Sequence, residues 1–515
     1  MNFIIKNKNM KIEDLLVKPL WHRRLPSNSV DNITSSSMVD EPMNCGSGKW
    51  LSLNQDDFWD ELTPSSHQIN SLSYKTLRPK YEWDAVKKKV KIVGYEDVER
   101  VSWGLEEIAM RILSTHAMGN NIKFRNEGDE TMSDELKLHK SHWNMTGMHD
   151  ALLQWFHDAG AIGDSALYLY RKNGKVEYRV FSYLRGDLIS KPNKSTFVRK
   201  YYVNNEAIVE VYDLKNVSVW IKDSDKVETL NKSRRILEKL GIGYNKVYER
   251  SDDGWKCIER IPHGGNGLPV EYLRFDDVFY GAGVSLRERL ERTMSYWGDS
   301  NNAFGTPIMT LNGKVTSLPP MGIAGKVFGF NSPDGKAALL TPPDASTSIT
   351  LDVEKNYTMY KNVLSLVIFD PKDIKGGDPS GSFLSNLYFP AIQWSMLKIS
   401  LIRHNINNVI TIFDDYVGKI EKKSIDFEKM KMSWTLEPFY PRNKMEEMTL
   451  ITMPVNTGVT SIETATEEID HNSPFEVNRL REQDKYESQL DNSKKEKREN
   501  NIVDNVDNQN KNKNK

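Results

Sequence analysis

"ALYLYRKNGKVEYRVFSYL", residues 166–184, decides the fold class. Two alternating apolar runs flank Asn173-Gly174, a pair that accepts positive φ at both central positions of a two-residue turn. The stretch reads as a β-hairpin. Upstream the period is different. Val101, Leu105, Ile108, Ile112 and Leu113 form one stripe of a helix over about 95–119, and Leu152, Leu153, Trp155 and Phe156 mark a second over about 142–159. Downstream, strand-like runs continue in YYVNNEAIVEVYDL (201–214) and VSVWI (217–221). The body to about residue 275 is therefore mixed α+β.

Beyond that body the pattern turns helical again. SLRERLERTMSYWGDSNNAF (285–304) sets Leu286, Leu290, Met294 and Trp297 on one face. Residues 305–347 are rich in Gly and Pro, with short strand-like pieces PIMTL and KVFGF. A further helix over about 349–369 carries Val353, Tyr357, Tyr360, Leu364 and Val367 at steps of three and four. It runs into VIFDPKDIKGGDPSGSFL (367–384), after which an apolar run extends from Phe383 to Phe413. A Gly-rich charged loop between two helices has three candidate roles: phosphate cradle, lid and pore lining.

Past residue 414, MKMSWTLEPF is a strand candidate. Thr460-Ser-Ile-Glu463 and Ser473-Pro-Phe-Glu476 are capping boxes that start short helices. Residues 1 to about 80 are polar and broken, with Trp21, Trp50 and Trp59, and read as a loosely ordered arm whose aromatics dock on something larger. Residues 491–515 are Asn, Lys, Asp and Glu with almost nothing apolar, a composition that does not fold alone.

The chain has 515 residues and a formal net charge of -1, which excludes a polycation; any contact with nucleic acid rests on local lysines. Apolar residues make up 38%, but 12 Trp, 21 Tyr and 18 Phe supply bulky core material. Cys45 and Cys257, far apart, form no disulfide framework or zinc site and suit a reducing compartment. The MNFIIKNKNMK start is no secretory signal, and Pro379–Leu397 is too polar to span a bilayer. The expectation is a soluble intracellular protein.

Candidate chemistry is thin. Asn44-Cys-Gly-Ser-Gly-Lys49 lacks the opening Gly of a phosphate loop and has Trp50 in place of the Ser/Thr that would hold magnesium, so a turn is the better reading. His139, His142, His149 and His157 cluster without a supporting metal motif. Gly264-Gly-Asn-Gly267 precedes a strand-like run and not a helix N-terminus, so it reads as a tight turn. The sequence offers no catalytic, cofactor-binding or metal residue.

The order of the pieces carries a resemblance. IPHGGNGLPVEYL (261–273), the helix ending YWGDSNNAF (296–304) and PIMTLNGKV (307–315) resemble the middle of tailed-bacteriophage portal proteins of the siphophage type. DPSGSFLSNLYFPAIQWSMLK (378–398) is similar to that family's Ser-Gly at the end of the tunnel loop and its long kinked helix. FYPRNKMEEM, NTGVTSIETATEEI and SPFEVNRLREQ are similar to its crown-forming end, and EEIAMRILSTHAMGNNIKF and DSALYLYRKNGKVEYRVF to the start of its wing. The resemblance spans roughly residues 85 to 490.

The resemblance implies an α+β portal fold: an N-terminal arm, partly disordered (1–84), an α+β wing (85–283), stem helix 1 (284–304), a clip (305–347), stem helix 2 (348–369), a tunnel loop (370–382), a long kinked helix (383–414), a wing strand return (415–441), a helical crown (442–490) and a disordered tail (491–515). It implies a dodecameric homo-oligomeric ring in the virion, at the capsid portal vertex, built in the host cytoplasm and with double-stranded DNA passing along its axis. The implied partners are the large terminase, the head-tail connector or adaptor, and major capsid and scaffolding proteins, with no membrane, cofactor or enzymatic activity. Lys372 and Lys375 would touch phosphates loosely, Gly376 and Gly377 would let the loop move, and Asp373 and Asp378 would limit sticking. Lys314, Lys326 and Lys336 would give the clip a mildly basic docking face. Against this stand another virion component, such as a capsid or tail adaptor, and a nucleic-acid enzyme with a degenerate site. The latter would require a carboxylate cluster or a complete phosphate loop.

Overall fold

Asn173 and Gly174 take φ of 50° and 75°, and the strands they join pair from Lys172↔Lys175 to Ala166↔Phe181. A computed structural model of the protein describes residues 11–16, 18–24, 50–72, 78–84, 89–128, 133–193, 195–222, 249–304, 308–312, 315–317, 329–330, 336–340, 346–368, 381–422, 431–441, 444–459, 465, 479–483 and 485. The chain divides into two units, residues 1–369 with 388–439, and residues 370–387 with 440–515.

The first unit begins with a short helical turn α1 (Ile12–Leu15), strands β1 (Trp21–Arg24) and β2 (Trp50–Leu53), and helix α2 (Gln55–Leu62). Asn54 caps α2 in a reciprocal box with Asp57. A two-stranded ribbon follows, β3 (Arg78–Asp84) and β4 (Lys89–Glu96), in which Arg78 faces Glu96, Glu82 faces Lys91 and Asp84 faces Lys89. Then come α3 (Leu105–Met118), β5 (Lys123–Asn126), α4 (Ser133–Thr146) and α5 (Met148–Ile162).

Two sheets pack beyond these helices. Strands β6 (Asp164–Lys172) and β7 (Lys175–Phe181) belong to the three-stranded sheet. The six-stranded sheet uses β8 (Leu188–Ile189), β9 (Phe197–Val203), β10 (Glu206–Tyr212), β11 (Asn216–Lys222), β12 (Glu249–Arg250) and β13 (Trp255–Pro262), in the order β12-β13-β11-β10-β9-β8. Strand β14 (Val270–Arg274) then returns to pair with β6. The core runs through Trp155 and Phe156 of α5, Leu167 and Leu169 of β6, and Phe275 and Phe279, all buried.

Helix α6 (Val284–Phe304) is followed by β15 (Ile308–Asn312), β16 (Val315–Ser317), β17 (Gly329–Phe330) and β18 (Lys336–Leu340), then α7 (Ser346–Val363). Helix α8 (Gly381–Glu421) carries Pro390 inside it, and β19 (Met432–Thr435) pairs antiparallel with β5. Pro390 removes one i→i−4 hydrogen bond, the usual cause of a local bend. The second unit holds the first residues of α8 and helix α9 (Lys444–Asn456).

Three local readings change. The helix expected from about residue 95 starts at Leu105, because residues up to Glu96 are the second strand of the ribbon. The helix expected over about 142–159 is two helices, separated at Gly147, whose φ of 70° ends one and opens the other. YYVNNEAIVEVYDL is a hairpin, since Asn204 and Asn205 both take positive φ and Val203 pairs with Glu206. The described part of the N-terminal segment is packed on the body: Trp21 donates from Nε1 to the Phe275 carbonyl at 2.9 Å, and Ile12 is buried against Val209, Trp220 and Trp255.

Candidate functional site: two helices, the segment between them and the helix beyond

Helices α6 and α7 form a hairpin whose intervening segment is tied at both ends. Strand β15 leaves α6 and pairs antiparallel with β18, which enters α7, from Ile308↔Leu340 to Asn312↔Lys336. The 21-residue α6 is about 31 Å long at 1.5 Å per residue. Across the two helices Arg289 donates to Asp352 Oδ1 at 2.8 Å and Thr293 to Oδ2 at 3.3 Å. Burial pushes the Asp352 carboxyl up, but the Arg289 bond and charge and the Thr293 bond together outweigh it and hold the group below the usual carboxylate range.

The root of the hairpin is charged and buried. Arg287 donates to Glu106 Oε1 at 2.7 Å and to Glu291 Oε2 at 2.9 Å. Glu291 Oε1 also accepts the Trp103 N–H at 2.7 Å and lies 2.6 Å from His67 Nδ1, while His67 Nε2 lies 2.9 Å from the Glu61 carbonyl oxygen. Burial raises the Glu106 carboxyl, partly offset by Arg287. Burial pushes Glu291 the same way, but its bond to His67, the Arg287 charge and the Trp103 N–H outweigh it and leave the carboxyl below its ordinary value. Gly283 sits at this root because a Cβ there would lie 2.6 Å from the Tyr360 ring.

The remainder of α8 is bolted to the α+β body by polar contacts. Asn405 and Asn408 donate to Glu271 Oε1 at 2.7 and 3.2 Å, and Asn407 Oδ1 accepts from Trp434 Nε1 at 2.6 Å. Buried Asp414 lies 2.5 Å from His139 Nδ1, and His142 Nε2 lies 2.9 Å from Glu421. Burial raises the Asp414 carboxyl, with His139 pulling the other way. Two of the four clustered histidines thus sit on carboxylates of α8. Among the described residues no group of three or more His, Cys, Asp and Glu gathers as a metal-ligating set.

The Gly264–Gly267 turn is also read out by α8. Asn266 N–H donates to Asp415 Oδ2 at 2.9 Å, and Lys419 Nζ donates to the Gly264 carbonyl at 2.7 Å. A carboxylate already occupies the position an anion would take. The turn borders a cavity of about 690 Å³, lined by Gly265, Asn266, Thr411, Asp415, Tyr416 and Lys419 among others.

Of the expected site residues, Lys336 is exposed and opens β18 opposite Asn312. Lys314 and Lys326 lie outside the described residues, as do Lys372, Lys375, Gly376 and Gly377, the capping boxes at 460–463 and 473–476, and the 44–49 stretch. The charged root was missed from sequence. Its one local signal is the i,i+4 pair Arg287 and Glu291; Glu106 and His67 reach it only through the fold.

These contacts define a two-helix pair with a short antiparallel tie, on an α+β body crossed by one long helix. The chain belongs to the phage portal protein family: the model described as "Phage portal protein, SPP1 Gp6-like" matches residues 73–501. This is a family of structural proteins of the bacteriophage virion, placed at the portal vertex and serving genome packaging. Comparison with curated proteins gives no match. No described helix is long and apolar enough to cross a membrane.

Proposed function

We propose that copies of this chain form a closed ring at one vertex of the capsid, a dodecamer, through which double-stranded DNA is packaged and later ejected. The ring docks the large terminase during filling and the head-tail connector afterwards; it meets the major capsid and scaffolding proteins at its rim and is assembled in the host cytoplasm. It performs no catalysis of its own. In this reading residues 85–283 are the wing, α6 and α7 the stem, residues 305–347 the clip, 370–382 the tunnel loop and 442–490 the crown.

The observation that carries the reading is the α6–α7 hairpin closed by β15 and β18, lying inside a family match that spans residues 73–501. A stem of about 31 Å with its two ends pinned is a fitting wall element for a channel, with the tied segment as its protruding end. Head-to-tail contacts close a ring when the rotation between copies allows it. Negative-stain imaging of the purified protein tests this: rings with a central hole are expected. A monodisperse monomer or dimer at micromolar concentration under every salt condition overturns it.

A further inference from the structure

Two buried carboxyl groups compete for one guanidinium at the root of α6, and the division is unequal. Glu291 has both oxygens bonded, Oε2 to Arg287 and Oε1 to the Trp103 N–H and His67. Glu106, fully buried, gives Oε1 to Arg287 Nε and has no partner for Oε2. A second polar atom here lacks a partner, the hydroxyl of Tyr360 on α7, whose residue is 1% exposed. The two groups are neighbours: after burial, the Glu106 charge is the largest influence that raises the Tyr360 phenol. The Tyr360 ring is also packed against Gly283, so shifting the hydroxyl means shifting α7.

The groups around this pair are otherwise committed. His67 meets Glu291 and the Glu61 carbonyl, Glu61 is held by Arg23, and the Tyr280 hydroxyl is bonded to the Phe58 and Ala161 carbonyls. Glu288 lies within reach of Arg287 and of exposed Arg292, and Tyr357 stacks on Trp103 with Lys361 over its ring. A charged oxygen without a partner is costly in a dry interior, and where two carboxyls share a site one of them keeps its proton. Glu106 is the one less well served. A protonated Oε2 is a donor, and the Tyr360 oxygen is an acceptor.

We propose that Glu106 and Tyr360 form a proton-operated latch between α3 of the body and α7 of the hairpin. With the proton on, the Glu106 hydroxyl donates to the Tyr360 oxygen and completes the root. With the proton off, a bare carboxylate oxygen is left on α3, and the hairpin is held there by Arg287, Glu291 and packing alone. Burial raises the Glu106 carboxyl, and Arg287 opposes it less strongly. The latch therefore contributes fully below the ordinary value of 4.5 and is lost as pH rises through the raised one. Glu291, whose carboxyl is lowered, has the opposite sign, so the hairpin is seated most firmly between the two. The latch lies within one chain and is independent of how copies assemble.

Hydrogen–deuterium exchange on the full chain reads the seating. Peptides of α6 and α7 are compared with peptides of α5, an internal reference in the same body, after correction for the intrinsic pH dependence of exchange. Between about pH 6 and pH 9 the hairpin should lose protection relative to α5, by up to about tenfold per pH unit above the raised value, the limit for one linked proton. Glu106→Gln keeps an acceptor for Arg287 and a permanent donor for Tyr360, so its hairpin protection should stay level across that range. Tyr360→Phe deletes an atom that has no partner in the structure. A merely structural role therefore gives no loss, whereas the latch requires protection at the acid end to drop to the native level at the alkaline end. A native protein with no hairpin-specific trend, or Glu106→Gln with the native trend, overturns the proposal. Should Glu106→Gln not fold, unchanged protection in Tyr360→Phe at the acid end overturns it alone.

Discussion

His67 Nδ1 and Glu291 Oε1 are 2.6 Å apart, across 224 residues of chain, and the other ring nitrogen meets the Glu61 carbonyl. Both ring nitrogens of the buried imidazole meet an oxygen, and the residue thereby ties the segment after α2 to the root of α6. Glu291→Ala removes the acceptor and leaves Arg287 with Glu106 alone. Breaking a buried pair from one side costs about 3–5 kcal/mol, which chemical denaturation would register. The pH sign follows from the lowered carboxyl: its contribution is full above the ordinary value of 4.5 and is lost as pH falls through the depressed one. A loss under about 1 kcal/mol, the level of an exposed ion pair, would show that the network is dispensable.

Asp164 gives the opposite dependence. It is fully buried, accepts from Gln55 Nε2 at 2.7 Å and Tyr272 OH at 2.8 Å, and burial pushes its carboxyl up to about 7 despite those bonds. An acid raised in the folded state favours folding below its unfolded value, and that advantage disappears as pH rises to the folded value. The swing is up to about 4 kcal/mol between pH 4 and pH 8. Asp164→Asn should flatten it, so that the variant gains on the native protein as pH rises. Parallel denaturation curves for the two across that range would contradict the assignment.

The N-terminal strap should be separable from the body. Trp21 is buried, donates to the Phe275 carbonyl, and its ring lies 2.6 Å from where a Cβ on Gly163 would be. Gly163 also has φ of 91°, so Gly163→Ala is strained twice. Trp21→Ala should cost about 3–5 kcal/mol, and Gly163→Ala should mimic it. Limited proteolysis should then cut before residue 72 faster in both variants; unchanged cleavage would mean that the strap is held elsewhere.

Much of this fold was legible because its signals are local. Asn173-Gly174, the stripe Leu286-Leu290 and the apolar run after Phe383 each act within one element. What sequence could not supply was pairing at a distance: Trp21 with Phe275, His67 with Glu291, Asn407 with Trp434. The ribbon of residues 78–96 was hidden for a different reason. Lys87, Lys88, Lys89 and Lys91 dilute its alternation, and its register shows only when Glu82 is set against Lys91 and Asp84 against Lys89. Of the expected site residues only Lys336 falls among the described residues, and the charged root of α6 was not legible at all.

In the clip reading, Lys314, Lys326 and Lys336 present the docking face for the motor and then the connector. Replacing all three with Glu should leave rings intact in negative stain and abolish DNA packaging in particles assembled with the variant. Loss of the rings themselves would assign these residues to contacts between copies.

In the channel reading, Lys372→Ala with Lys375→Ala should leave fold, ring and terminase docking unchanged, since exposed screened charges contribute little each. Packaged DNA should be shorter, or leak from filled heads. Gly376→Pro with Gly377→Pro should be worse, because φ is then fixed in a segment that has to flex. Normal lengths, rates and retention in both variants would make the loop an ordinary connection.

The pairing of Ile308 with Leu340 and Asn312 with Lys336 joins what enters the intervening segment to what leaves it. Helices α6 and α7 therefore feel the same boundary whatever length or sequence lies between residues 312 and 336. In the stem-and-clip reading, such a joint makes that segment an exchangeable cartridge, to be recast for a different docking partner while the wall on which it is mounted keeps its dimensions.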